Sequence, residues 1–290
     1  MDICKGILSR NVVPSISAHD YIYQPQSTAF IVTRLKEDSH LMGSCYGSAF
    51  SEVIYRYMWI GHIMKMKSFF KSIISGSGDR PTRFHDERGN LVTPGGYIYA
   101  LNSLFTTFLR VIFGYRPPIP WLSFRARRYI AGLLCSDCTV LEFGSGMSTA
   151  WFASRCRVLY SFEHDPKWYG FVKARLSKKK ITNVFYSLRN AENYADLSEF
   201  PDGSFDFVLI DGIRRTECVR NVISKVKPDG WIYLDNTDVS QKTRPGNDFQ
   251  EGEKLLLSFI PFGKGFVKYF TDFVPSNFIA KQGVLVNLGQ

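Results

Sequence analysis

Cysteine is scarce in this chain of 290 residues, and its six cysteines form no recognisable framework. They are spread from Cys4 to Cys218, and the one C-x-x-C motif, Cys135 to Cys138, has no second pair near it in the sequence. A disulfide-stapled scaffold or a cysteine-based zinc site needs such partners. We therefore expect reduced cysteines, as in a cytoplasmic protein.

Long uninterrupted apolar runs are lacking as well. Residues 1–10 carry both charge signs and no apolar core of a signal peptide. Residues 51–74 are apolar and aromatic but contain several basic side chains, and the apolar run 97–113 is short for a membrane span. We predict two helices here that pack on the main domain or between subunits as a homodimer surface. Contact with a membrane surface is the alternative, so the expected location is cytoplasmic, with or without membrane association.

The formal net charge is +10, yet dense basic runs are few. Lys178, Lys179 and Lys180 form the tightest one, and its position before Ile181 predicts a solvated helix end. No DNA- or RNA-binding signature accompanies the charge, so we expect no specific nucleic-acid partner. A basic balance without such a signature is compatible with an acidic substrate or an anionic membrane face.

Breaks rich in glycine and proline divide the chain. They lie at residues 75–81, 94–96 and 116–121, and the last of them contains three prolines. We predict an aromatic-rich, mainly helical or irregular N-terminal extension over residues 1–115 and a principal domain over residues 116–290.

Short apolar strands alternate with helices in the principal domain. The alternation predicts an α/β fold with a mostly parallel sheet and helices on both faces. The last two strands suit an antiparallel pair at one edge. The seven predicted strands are 139–143, 158–162, 183–186, 205–210, 231–234, 266–269 and 284–288.

The run Val140–Thr149 carries the strongest signal. It predicts a strand, a glycine turn at Gly144 and Gly146, and a helix capped by Ser148 and Thr149. Ligands of such sheets bind outside the carboxyl ends of the strands, where glycines let a ligand approach the backbone.

Acidic residues end four of the predicted strands: Glu142, Glu163, Asp211 and Asp235. Glu163 follows Glu142 by 21 residues, at the end of the next strand. An acid at that place can accept both hydroxyls of a ribose. A dinucleotide oxidoreductase would also have a third glycine where this chain has Thr149.

With these motifs the principal domain resembles the class I S-adenosylmethionine-dependent methyltransferases, which have a Rossmann-like fold. The resemblance rests on Glu142–Gly146, Ser161–Pro166, Phe205–Gly212 and Val226–Asn236, in that order. It implies S-adenosylmethionine as the cofactor. The cofactor-binding residues that it implies are Glu142, Gly144, Ser145, Gly146, Ser148, Thr149, Glu163, His164 and Asp211.

A finer resemblance is to metal-dependent O-methyltransferases of the catechol and caffeoyl type. It implies Asp211, Asp235 and Asn236 as ligands of Mg²⁺, with a polar strand end as the alternative for the last two. That family has a lysine as the base where this chain has Arg214, which stays protonated and suits an anionic acceptor group. Asp238 is the candidate for a second carboxylate near the reacting centre. The candidate catalytic residues are thus Asp211, Arg214 and Asp238.

Together with Glu142–Thr149 and Asp211–Arg214, the run Gly114–Trp121 also resembles a group of bacterial-type methyltransferases that are often associated with glycan or surface-polymer modification. Together these resemblances imply O-methylation of a small-molecule or glycan acceptor, one with an anionic group, with or without a divalent metal. The alternative is a cofactor-binding protein without turnover, whose N-terminal extension is an interaction or membrane-docking module.

Overall fold

Seven strands form one sheet in the order β3-β2-β1-β4-β5-β7-β6. The structure is a computed structural model that describes residues 75–76, 79–261 and 264–289. Strand β7 is antiparallel to β5 and β6, and the other pairings are parallel. The predicted Rossmann-like, mostly parallel sheet is confirmed. Its strands are β1 (Thr139–Phe143), β2 (Val158–Glu163), β3 (Val184–Leu188), β4 (Phe205–Ile210), β5 (Val226–Leu234), β6 (Phe266–Val274) and β7 (Asn277–Asn287).

Helices precede and connect these strands. A 3₁₀ turn over Pro94–Tyr99 leads into the first of them, and the predicted helix over residues 51–74 lies outside the described residues. The predictions missed the helix that begins at Phe249, because the segment before it carries no strong apolar pattern. The helices are α1 (Ala100–Phe113), α2 (Phe124–Leu133), α3 (Met147–Ala153), α4 (Pro166–Lys178), α5 (Arg215–Val222) and α6 (Phe249–Ser258).

The core lies on both faces of the sheet because successive strand residues point to opposite sides. In β1, Leu141 packs with Val219 of α5 on one face, whereas Val140 packs with Phe152 of α3 on the other. All four side chains are fully buried. The sheet is thus covered on both sides, and its open edge for a ligand is the carboxyl end of the parallel strands.

The residues before α1 lie against the last two strands. Ala280 donates its backbone N–H to Arg83, and the buried carboxylate of Asp86 accepts from Asn90, Thr271 and Gln282. This part of the predicted extension therefore packs directly on the sheet. The boundary between residues 115 and 116 stays a prediction. Within the described part of the chain, the cysteines at 135, 138, 156 and 218 are all free thiols.

Candidate active site

A cavity of about 460 Å³ opens at the carboxyl ends of β1, β2, β4 and β5. It lies where the sequence predicts a ligand, beside the glycine turn that follows β1. Seven of the predicted site residues line it: Gly144, Ser145, Glu163, His164, Asp211, Arg214 and Asn236.

The turn after β1 is possible only with glycine at position 144. Gly144 has a φ of +91°, and a Cβ there would lie 2.8 Å from backbone atoms of Asp211 and Gly212. At Gly146, by contrast, a Cβ would meet nothing nearer than 3.9 Å. The first glycine therefore lets two strand ends approach each other, and the second leaves open space above the start of α3.

Glu142 supports this turn from below. It is fully buried and accepts hydrogen bonds from the hydroxyls of Ser148, Thr149 and Ser161, the last two at 2.7 and 2.6 Å. Burial raises the pKa of Glu142 to about 7, against the effect of these three hydroxyl groups. Glu142, Ser148 and Thr149 form the base of the turn and are not among the lining residues of the cavity, so their contact with the cofactor stays a prediction.

Glu163 presents a fixed carboxylate to the cavity. Its Oε2 accepts from the backbone N–H and the hydroxyl of Ser145 at 3.2 and 2.9 Å, and its Oε1 accepts from the N–H groups of His164 and Asp165. The Ser145 hydroxyl also lies 2.7 Å from the hydroxyl of Tyr186. If the Ser145 hydroxyl donates to Tyr186 instead, Oε2 can accept from a ligand hydroxyl.

Trp168 forms a wall of the cavity that the sequence reasoning missed. Asp165 caps α4 by accepting from the N–H of Trp168, and the indole N–H then donates to the carbonyl of Ser145 at 2.8 Å. The guanidinium of Arg116 covers the other side of the indole, 5.6 Å from its centroid. A sequence signal for this position exists, because Asp165 and Pro166 begin α4 just after Glu163. They place the first turn of α4, with Trp168, at the cavity mouth.

Arg215 lies at the centre of the polar strand ends. Its guanidinium donates to Asp211 Oδ1 at 3.0 Å, to Asn236 Oδ1 at 3.1 Å and to the carbonyl of Asp235. It also lies 4.0 Å from the ring centroid of Phe249, and its side chain is 3% exposed. A buried cation therefore already occupies the space between the three residues that were predicted to bind a metal.

The residues present do not fit Mg²⁺ at this place. Asp211 and Asn236 each direct an oxygen to Arg215, and Asp235 is buried, with the hydroxyl of Tyr233 3.5 Å from its carboxylate. Burial raises the pKa of Asp235, and the neighbouring Asp211 carboxylate adds to the rise. Within the residues that the structure describes, no group of three or more acidic, histidine or cysteine side chains is arranged around a metal position. The predicted metal site is not supported.

Asp238 is a structural anchor and not a cavity residue. Its carboxylate is fully buried and accepts from the guanidinium of Arg80 and from the backbone N–H groups of Glu87 and Gln282, at 3.1 to 3.2 Å. These bonds fasten the segment before α1 to the end of the sheet. The structure does not bring Asp238 to the cavity lining, and its predicted catalytic role stays a prediction.

The loop between β5 and α6 forms the outer wall of the cavity. Arg244 and Asp248 line it together with the half-buried Arg214. Ser240 fastens the loop, because its N–H donates to Glu87 and its hydroxyl to Asp79. The sequence reasoning missed these residues because the loop has no periodicity and no motif. Arg214 and Arg244 thus bring positively charged side chains to the cavity lining.

The comparison with known proteins gives these residues a family. Residues 141–237, from β1 to just past β5, match the family model described as a methyltransferase domain. This match indicates a methyltransferase domain in the central part of the chain, and the strand order and the glycine turn are consistent with the class I S-adenosylmethionine-dependent methyltransferases. No curated protein matches the chain.

Three of the solved structures to which the chain is similar are the following. An rRNA methylase from Streptococcus thermophilus is 14% identical, with 57% of this chain and 95% of that chain covered and a TM-score of 0.45. The tRNA (m1A58) methyltransferase TrmI from Aquifex aeolicus is 16% identical, over 60% of this chain and 72% of that chain, with a TM-score of 0.43. TYW2 from M. jannaschii, in complex with AdoMet, is 16% identical, over 58% and 76%, with a TM-score of 0.39. At these identities and TM-scores the likeness says nothing about the acceptor of this chain.

Proposed function

We propose that this methyltransferase methylates a hydroxyl group of a small-molecule or glycan acceptor that carries an anionic group. The observation that supports the proposal is one continuous cavity whose lining includes both the glycine turn with Glu163 and the cations Arg214 and Arg244. A donor with a ribose suits the turn and Glu163, and a negatively charged acceptor suits the two arginines.

The glycine turn and Glu163 fit S-adenosylmethionine. When bound, this cofactor supplies an electrophilic methyl group on a sulfonium centre. Glu163 would accept the ribose hydroxyls once the Ser145 hydroxyl donates to Tyr186, and Trp168 would cover the bound cofactor from the side of α4. Gly146 leaves room for the cofactor above the start of α3.

Asp211 is our candidate for the group that receives the acceptor proton. It lines the cavity, its side chain is 33% exposed, and Arg215 holds one of its oxygens in place. The bound cofactor would supply the methyl group to the acceptor oxygen, and Asp211 would accept the proton that this hydroxyl loses. Arg214 stays protonated and serves to bind the acceptor's anion. The enzyme contributes mainly alignment.

The test compares acceptors that differ in one anionic group. The full chain is incubated with S-adenosylmethionine and with matched pairs such as glucose and glucuronate, or catechol and dihydroxybenzoate. Formation of S-adenosylhomocysteine and of the methylated product is followed by mass spectrometry. We expect the anionic member of a pair to be preferred.

The Arg244→Gln variant should raise the KM of the anionic acceptor and so reduce this preference. Lys242→Gln changes an exposed neighbour outside the cavity lining and should leave the preference unchanged. Methylation on nitrogen or carbon only, or an equal rate with the neutral member, would contradict the proposed acceptor.

A further inference from the structure

Helix α1 buries hydroxyl side chains against the protein and exposes large apolar ones. Its buried side chains are the hydroxyl residues Ser103 and Thr107, and Ser103 donates to the carbonyl of Val274 at 2.7 Å. Two of its large apolar side chains point away from the protein, with Leu101 77% and Phe105 61% exposed, whereas Leu104 packs against the core. A surface helix in water normally has the opposite arrangement.

The exposed apolar face continues beyond these two side chains. Tyr97, Ile98 and Phe113 are also exposed, the last two at 69% each. Among the described residues, the segment Pro94–Phe113 is the one helical stretch that is long and apolar enough to cross a membrane, by length and composition alone. The hydroxyl face of α1 rests on β6 and β7, so its exposed apolar face points outward. This geometry suits a helix that lies in the interface between water and a membrane.

A basic groove lies next to this apolar face. It has a volume of about 890 Å³ and is lined by the cations Arg127, Arg128, Arg155 and Lys179, and no acidic side chain is among its described lining residues. It meets the start of α1 through Tyr99, which is part of its wall.

Arg127 is the cation of this groove that a bound anion would stabilise most directly. Burial lowers the pKa of Arg127, and the nearby Arg155 lowers it further. The Nη1 atom of Arg127 is buried and has no hydrogen-bond partner in the described part of the chain. An anion in the groove would supply that partner and would separate the like charges.

The sequence around the two features has a single sign of charge. Residues 88–136 contain six arginines and no aspartate, glutamate or lysine. Two copies that met through this face in a twofold dimer would bring the arginines of both copies together. An anionic partner with an apolar interior is complementary to both features at once.

We propose that the apolar face of α1 and the adjacent basic groove together dock the protein on an anionic membrane surface. Leu101, Phe105 and Ile98 enter the boundary between headgroups and acyl chains, and Arg128 and Arg155 contact lipid phosphates. This docking surface lies on the α2 and α3 side of the sheet, apart from the lining of the methyl-transfer cavity, and does not depend on the proposed acceptor.

The experiment is vesicle flotation of the full chain at low and high salt. Vesicles are made of phosphatidylcholine alone or of phosphatidylcholine mixed with phosphatidylglycerol. We expect binding to the anionic vesicles only, and less of it at high salt. Leu101→Asp should weaken the partition coefficient at least about tenfold, and Arg128→Gln should weaken it about fivefold. Val267→Asp, at a 41% exposed position on β6, is the matched control and should bind as the parent does.

Thermal unfolding of each variant checks that the fold is intact, and light scattering gives the oligomeric state. Equal binding to neutral and anionic vesicles, or unchanged binding by Leu101→Asp, would overturn the proposal. A dimer that Leu101→Asp converts to a monomer, without vesicle binding by the parent, would assign the face to a second copy instead. A monomer that binds no vesicles would assign it to another segment of this chain and would equally overturn the proposal.

Discussion

Replacing Arg215 with methionine tests whether a protein cation substitutes for a metal at the strand ends. The change keeps most of the side-chain volume but removes the guanidinium between Asp211, Asn236 and the carbonyl of Asp235. These groups then lose a donor in a largely buried place. Breaking a buried charge pair costs 3–5 kcal/mol, and we expect about 3 kcal/mol because the Asp211 side chain keeps 33% of its surface exposed.

Equilibrium urea unfolding measures this loss, and the neighbouring arginine supplies the control. Arg214 also forms an ion pair, with Glu217, but both side chains are more than a third exposed. We therefore expect Arg214→Met to unfold as the parent does, within the error of the measurement. An Arg215→Met variant as stable as the parent, or a larger loss at Arg214, would refute the reasoning.

The same assay tests the metal directly. We expect that neither Mg²⁺ nor EDTA shifts the unfolding midpoint of the parent, because Arg215 already occupies the oxygens of Asp211 and Asn236. A shift with Mg²⁺ that is absent in Asp211→Asn would show that a metal binds there after all.

Two further predictions concern the turn after β1. Gly144→Ala places a Cβ 2.8 Å from the backbone of Asp211 and Gly212 at a φ of +91°, so it should lower stability by about 1–3 kcal/mol and abolish cofactor binding, whereas Gly132→Ala, with nothing within 4 Å, should not destabilise the fold. Urea unfolding and calorimetry measure both effects, and an intact Gly144→Ala variant would contradict the close approach. Burial raises the pKa of Glu142 from 4.5 to about 7, so the folded state holds a proton that the unfolded state releases. The parent should therefore lose roughly 3 kcal/mol of stability as the pH rises from 4.5 through 7. Glu142→Gln should lack most of this loss, and an equally steep pH dependence in that variant would contradict the assignment.

The parallel part of the fold could be predicted because its strands are short apolar runs with clear ends. Strands β1 and β4 begin and end at the predicted residues, since polar or glycine residues flank each run. The position of Glu163 on the cavity wall was predictable for a similar reason, since it closes β2 one strand away from the glycine turn.

The roles of neighbouring polar residues were not predictable, because they depend on where a helix begins. Arg214 has a left-handed backbone with a φ of +49° and precedes α5, so its side chain lies outside, whereas Arg215 opens the helix and turns inward. A shift by one residue would exchange their roles. The alternating pattern of the sequence does not resolve such a shift.

Contacts between distant parts of the chain were also beyond the sequence. Asp238 ends as an anchor because Arg80, 158 positions earlier in the chain, reaches its carboxylate. Nothing in the local sequence of either residue indicates this partner. The position of Arg244 at the cavity was missed for the same reason, because the loop that carries Arg244 is held by residues from the segment before α1.

Calorimetric titration with S-adenosylhomocysteine tests the central claim most directly, which is that Glu163 and the glycine turn form the cofactor cradle. We expect one site per chain in the parent. Glu163→Ala should weaken the affinity on the order of a hundredfold, because two hydroxyl hydrogen bonds to a charged acceptor are lost. Glu199→Ala, the same change at an exposed acid outside the cavity lining, should bind as the parent does. Equal affinity of Glu163→Ala and the parent, or no binding by the parent, would contradict the account.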